Sequence, residues 1–154
     1  SLRKGPVHGY VHDEAAAMLG GVSGNAGLFS TAKEVATIYQ MLLDKGVMGD
    51  RRYLTRATCE LFLTMKSKNS RRGLGFDKPD KEKPENGYCA PETPASVFGH
   101  TGFTGTCAWA DPDNDLVFVF LCNRIYPNPC DRKNLMKLKI RPAIQQAIYQ
   151  AIMK

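Results

Sequence analysis

The sequence lacks any apolar run long enough to cross a bilayer as a helix. No stretch has the charged, apolar and small-residue regions of a signal peptide either. Residue 1 is Ser rather than Met, so the chain is expected to be a processed form or a piece of something longer, and its compartment cannot be read from its start. There is no C-x-x-C pair, and the five cysteines, Cys59, Cys89, Cys107, Cys122 and Cys130, are odd in number. Both facts argue against a disulfide framework and a structural zinc site. H-E-x-x-H is missing too, and no repeat or low-complexity tract occurs. What remains is 154 residues, 43% apolar and 23% charged, enough for a single globular domain over 1–154 with one core.

The net charge is +6, with bases gathered at Arg51-Arg52, Lys66 to Arg72 and Lys133 to Arg141. Such patches can mark nucleic-acid binding. No nucleic-acid motif accompanies them, and Asp77, Asp80, Glu82 and Glu85 are interspersed, so a solvated surface is the preferred reading. A basic nucleic-acid-binding domain stands as the alternative from another class.

Periodicity divides the chain into helices followed by strands. Asp13 is placed to cap a short helix over Glu14 to Leu19, stopped by Gly20-Gly21. The glycine-rich loop 21–30 follows. Thr31 and Glu34 form a T-x-x-E capping box for a helix over Ala32 to Lys45, with Val35, Ile38 and Leu42 on one face beside Tyr39 and Leu43, and Gly46 as its stop. A second helix is expected from Thr55, with Leu61, Phe62 and Met65 inward. Lys66 to Ser96, rich in proline, reads as a long surface loop, with a short strand at Gly73-Leu74-Gly75-Phe76. Three strands are expected: Val97 to Phe103, Thr106 to Ala110, and, after the turn Asp111-Pro112-Asp113-Asn114, Leu116 to Cys122. The last is apolar throughout, which predicts cover on both faces. Cys107 and Cys122 lie in these apolar runs as small core residues. A final helix begins after Asp131, is kinked or restarted by Pro142, and carries the stripe Ile144, Ala147, Ile148, Ala151, Ile152. The fold class is therefore α+β, of the α/β sandwich type, with an antiparallel sheet flanked by helices.

The segment that carries chemistry is Phe98-Gly99-His100-Thr101-Gly102-Phe103-Thr104-Gly105-Thr106. It aligns an imidazole, a hydroxyl and a glycine on a strand. A substrate backbone could lie along such a strand as an added one, its carboxylate or amide oxygen held by the imidazole and hydroxyl. Taken alone the run is also compatible with a glycine-rich hairpin carrying an incidental His. His8 and His12, spaced i, i+4, invite a metal reading, but Pro6 and Gly9 weaken the helix it needs, and His12-Asp13-Glu14 fits a cap and a local polar network.

H-T-G is similar to K-T-G, the third motif of β-lactamases and penicillin-binding proteins. Val11-His12-Asp13-Glu14, Gly24 to Ala32, Gly73-Leu74-Gly75-Phe76, Gly99 to Thr106 and Leu121-Cys122-Asn123-Arg124 resemble, in order, the esterase-like H-T-G branch of that superfamily. The resemblance covers nearly the whole chain and implies a partial β-lactamase-like fold, the C-terminal portion of a serine hydrolase. Relatives of this kind are often fused behind a family-3 glycoside hydrolase in gut Bacteroidetes. The resemblance further implies acyl transfer to or hydrolysis of an amide, ester or peptide-like bond, no cofactor and no metal, and a periplasmic or cell-envelope location.

In the family an S-x-x-K supplies nucleophile and base, Y-x-N follows, and K-T-G or H-T-G comes last. Ser30-Thr31-Ala32-Lys33 and Tyr126-Pro127-Asn128 satisfy the first two letter patterns, but the former fits a helix cap and the latter falls after H-T-G. The nucleophile is expected upstream, in a missing N-terminal half of the same module, and this chain alone is expected to be inactive. The resemblance assigns substrate binding to His100, Thr101 and Gly102, and an oxyanion-hole N–H to Phe103. The expected partners are a small-molecule or peptide-like substrate, that other half, and a second copy of the chain, joined by docking the exposed surface or by exchanging an element such as the C-terminal helix; no nucleic acid and no membrane span are expected. A non-catalytic accessory module on the same scaffold is the alternative.

Overall fold

The computed structural model describes residues 5–64, 66–84, 87–127 and 134–152. Helix α1 (Glu14–Met18) starts where Asp13 accepts a hydrogen bond from Ala16 N at 2.8 Å. Helix α2 (Ala32–Leu43) starts at the full capping box: Glu34 N donates to Thr31 Oγ1, and Thr31 N donates to the Glu34 carboxylate at 3.0 Å. It ends in a Schellman motif, with Lys45 N bonded to Leu42 O and Gly46 N to Met41 O. The left-handed C′ residue is Lys45, with φ 54°, not Gly46 as expected. Gly46 is required for another reason: a Cβ there would collide with Leu54 O.

A small hairpin follows, β1 (Val47–Met48) and β2 (Arg51–Arg52), paired antiparallel. Helix α3 (Arg56–Thr64) is capped by Thr55, whose hydroxyl accepts from Thr58 N. Its buried residues are Cys59 and Leu63; Leu61 and Phe62, expected inward, are exposed, and Met65 lies outside the described residues. The expected strand at Gly73–Phe76 reduces to a turn and one antiparallel bridge, Asp77 to Gly99.

The main sheet has three antiparallel strands in the order β3 (Phe98–Thr101), β4 (Cys107–Asp111), β5 (Leu116–Phe120). Alternation along β4 sends Ala110 to one face, with Phe98 from β3, Met41 and Leu42 from α2, and Cys59 and Leu63 from α3. Cys107 and Trp109 go to the other, with Phe118 and, from α5, Ile144 and Ile148. Helices thus cover both faces. The strand buried at every position is β4, whereas β5, expected to be covered on both faces, is an edge strand of which only Phe118 is buried. Cys107 is in the core, and burial pushes its thiol pKa up to about 11. Cys122 follows β5 and is half-buried; Cys130 lies outside the described residues.

The segment 66–96 is irregular as expected, but it is not confined to the surface: Asp77, Lys78, Cys89, Ala90 and Thr93 are buried. Asp77, 1% exposed, is held by Arg71 through bonds of 2.6 and 2.8 Å. Helices α4 (Asn134–Lys137) and α5 (Ile140–Ile152) close the described chain. Pro142 sits in the first turn of α5, where a missing N–H costs nothing. The face α5 buries is not centred on the expected apolar stripe. Ile144 and Ile148 are half-buried, Ala147, Ala151 and Ile152 are exposed, and the buried line is Arg141, Gln145, Tyr149. Arg141 donates to Gly105 O and Thr106 O, Gln145 accepts from Ala90 N, and Tyr149 donates to Asp111.

Candidate active-site wall

Strand β3 is an edge strand. Gly99 exchanges both backbone bonds with Asp77, so its N–H and C=O point away from β4. By antiparallel alternation Thr101 directs its own backbone groups to that same edge, beyond the single Asp77 bridge. The edge is thus closed at Gly99 by the 66–96 segment and lacks a strand partner at Thr101 among the described residues. Gly99 is needed for packing: a Cβ would strike Ala108 O and the Trp109 ring.

His100 and Thr101 both lie on β3, but strand periodicity gives them opposite faces. His100 pairs with Ala108 on the α2 side, and Thr101 pairs with Cys107 on the α5 side. What they share is the strand edge, because His100 Nδ1 lies 2.7 Å from Thr101 O. A carbonyl can only accept, so Nδ1 carries the proton, which leaves Nε2 as an acceptor in the neutral ring. Both side chains are half-buried.

The strand then turns. Gly105 N donates to Gly102 O at 3.0 Å, which makes Phe103 and Thr104 the two central residues, and Gly102 N donates to Thr106 O at 2.8 Å. The space beside Gly102 is taken by its hairpin partner: a Cβ would meet the Thr106 hydroxyl. Phe103 is 64% exposed, and its N–H has no acceptor among the described residues. Three other parts of the chain hold this turn. Arg124 N donates to Thr104 O and Arg124 Nε to Phe103 O, both at 2.8 Å, with the guanidinium 4.9 Å from the Phe103 ring centre. His12 stacks on the same ring at 5.6 Å. Asp13 beside it is bonded by Asn25 Nδ2 at 3.1 Å, which ties in the glycine-rich loop. His12-Asp13, Asn25, the H-T-G turn and Arg124, scattered over most of the sequence, therefore form one connected surface.

Four of the five motifs that resembled the β-lactamase superfamily meet here, in their order; Gly73–Phe76 is not among them. The family model described as Beta-lactamase matches residues 2–140. The chain belongs to the beta-lactamase family. A protein named "Putative D-alanyl-D-alanine carboxypeptidase" from Escherichia coli (strain K12) is 34% identical over 125 residues, covering 80% of this chain and 29% of that protein. One of the same name from Salmonella typhi is 34% identical over 150 residues, covering 93% of this chain and 34% of its own length. The N-acetylmuramyl-L-alanine amidase of Bacillus subtilis (strain 168) is 33% identical over 125 residues, covering 80% of this chain and 28% of itself. The chain thus spans about a third of the length of the curated relatives it matches.

The other letter matches fall elsewhere. Ser30 Oγ donates to the Glu34 carboxylate at 2.9 Å, not to Lys33, and acts as part of the α2 cap. Tyr126 is exposed after β5, and Asn128 lies outside the described residues. No helix spans His8 to His12, so their i, i+4 spacing does not bring them onto one helical face. Among the described residues no group of three His, Cys, Asp or Glu comes together as a metal site, and none of the described helices is long and apolar enough to cross a membrane. Arg124 is the site residue that sequence reasoning left without a role. Its signal was the Asn123-Arg124 pair directly after an apolar strand, where polar residues re-enter the chain.

Proposed function

We propose that this chain, as the C-terminal part of a catalytic module, forms one wall of the cleft of a serine hydrolase acting on amide bonds of peptidoglycan-type substrates. The observation that carries this reading is the Phe103 N–H, held without an acceptor in a pinned turn at the open end of β3. It is one oxyanion donor. The open edge at Thr101 receives the substrate backbone; on one face of the strand His100 Nε2 accepts a substrate N–H, and on the other the Thr101 hydroxyl donates to a substrate oxygen. Gly102 fits the tight hairpin that presents these groups. The relatives' names, a D-alanyl-D-alanine carboxypeptidase and an N-acetylmuramyl-L-alanine amidase, both denote cleavage of an amide, which supports that bond class. The nucleophilic serine and its lysine belong to sequence beyond this chain, which on its own does not turn over substrate.

Mass spectrometry after reaction with a β-lactam or an activated ester tests the reading. The full-length protein is expected to carry one acyl group on a serine outside these residues, and the isolated chain none. An adduct on Ser30, lost in Ser30→Ala, would overturn it.

A further inference from the structure

A second concave region lies away from the H-T-G turn, at the opposite end of β3. It is a cleft of about 210 Å³ between the C-terminal ends of α2 and α3, the start of β3 and the β4–β5 turn. Lys45, Lys66 and Lys78 line it, with Ser96, Phe98 and Pro112 among the remaining wall residues, and no carboxylate contributes to the lining. One water needs only about 10–15 Å³ of such space, so a multi-atom group fits.

Lys78 is the unusual member. The residue as a whole is 6% exposed, and its ammonium, without a hydrogen bond or ion pair among the described residues, opens onto the cleft rather than lying sealed in the core. An ammonium carried on so covered a side chain, with little water around it, gains from a counter-charge placed in the cleft. The neighbouring Asp77 does not supply it, because both its oxygens are taken by Arg71. Asp113, next to Pro112, is occupied by the Ser96 hydroxyl at 2.8 Å. Lys45 and Lys66 follow the ends of α2 and α3, where cations offset the partial negative charge of the last carbonyls. That role accounts for two of the lysines and leaves Lys78, which comes from the 66–96 segment, unexplained. Burial and then the charge of Lys66 lower its pKa, so an anion bound in the cleft would oppose both effects.

The geometry points to a binding site for a small multivalent oxyanion, a phosphate or a di- or tricarboxylate, held between Lys78, Lys66 and Lys45. The site is separate from the proposed hydrolytic wall, and its test does not depend on hydrolysis.

Isothermal titration of the full chain with inorganic phosphate, citrate and chloride, at matched ionic strength, reads it directly. Saturable binding of phosphate or citrate with none of chloride is expected, and whichever of the two binds tighter assigns the phosphate or carboxylate class. Lys78→Met keeps the length of the apolar stem and removes only the ammonium, so it should fold at least as well, and it is expected to weaken binding about tenfold or more. Lys68→Gln, outside the lining, should bind as the parent does. No saturation by phosphate or citrate at millimolar concentration, or equal affinity in Lys78→Met, would overturn the site.

Discussion

At the scale of single residues, the H-T-G turn separates what a side chain does from what the backbone does. Phe103 occupies the first central position of a four-residue turn, where proline is well tolerated because its φ is already suitable. Phe103→Pro therefore deletes the N–H while sparing the turn. Phe103→Ala keeps the N–H and deletes the ring that His12 and Arg124 pack against. If the N–H is an oxyanion donor, the proline variant of the full-length enzyme loses about 10²–10³ in kcat, and the alanine variant loses much less. Equal losses in steady-state hydrolysis would assign the role to the ring instead. Asp77 gives a purely structural counterpart. Arg71→Ala leaves its buried carboxylate with only the Lys78 N–H. The expected loss is about 2–3 kcal/mol in urea unfolding, below the roughly 3–5 for a fully buried pair because Arg71 is partly exposed.

At the scale of elements, α5 is docked by hydrogen bonds spaced one turn apart, each to a different part of the fold. Tyr149→Phe removes the donor to the buried Asp111, which keeps bonds from Asp113 and Asn114, so about 1–2 kcal/mol is expected to be lost. Ala147→Ser, on the exposed side, should stay within about 0.5 kcal/mol in the same denaturation measurement. A pH effect belongs to α2. The Thr31 N–H, followed by the Ser30 and Thr31 hydroxyls, lowers the Glu34 pKa from its ordinary 4.5. With the folded value below the unfolded one, the contribution to stability is complete above pH 4.5 and fades as pH falls through the lower value. NMR titration of Glu34 in the folded chain checks the direction, and Glu34→Gln should remove this part of the acid sensitivity. These elements also mark how far the sequence could be read. Caps and the three strands were legible because Asp13, the Thr31–Glu34 pair and the Asp111 turn act locally. The faces of α3 and α5 were not, because periodicity cannot tell an apolar stripe that is buried from one that is left open. Nor can it foresee that Arg141, Gln145 and Tyr149 find long-range partners. The β1–β2 hairpin had a signal in its two-residue Gly49-Asp50 turn, but strands of two residues carry no alternation to read.

At the scale of the whole molecule, the most exposed of the large apolar side chains among the described residues fall in one stretch. Met18, Leu19, Val22, Leu28 and Phe29 all fall within twelve residues of α1 and the glycine-rich loop, with Val22 and Leu28 at 89% and 88% exposure. Each backbone turn there is locally satisfied, by the Asp13 cap, the Asp13–Asn25 bond and the α2 capping box. The loop is therefore shaped without being covered. In the reading proposed above, the rest of the catalytic module is what covers it, since the curated relatives are about three times as long. Produced alone, the chain must satisfy that surface another way. Burying such apolar surface favours association, and the association cost of about 4–15 kcal/mol opposes it. The balance favours weak, concentration-dependent pairing over a permanent dimer. Sedimentation velocity at micromolar concentration is expected to show species heavier than the monomer, shifting with loading concentration. Val22→Asp with Leu28→Asp should restore the monomer without lowering the melting temperature, because neither side chain contributes to the core clusters. A parent chain that sediments as a clean monomer at every concentration would mean that this surface tolerates water, and the reading of it as a covered face would fail.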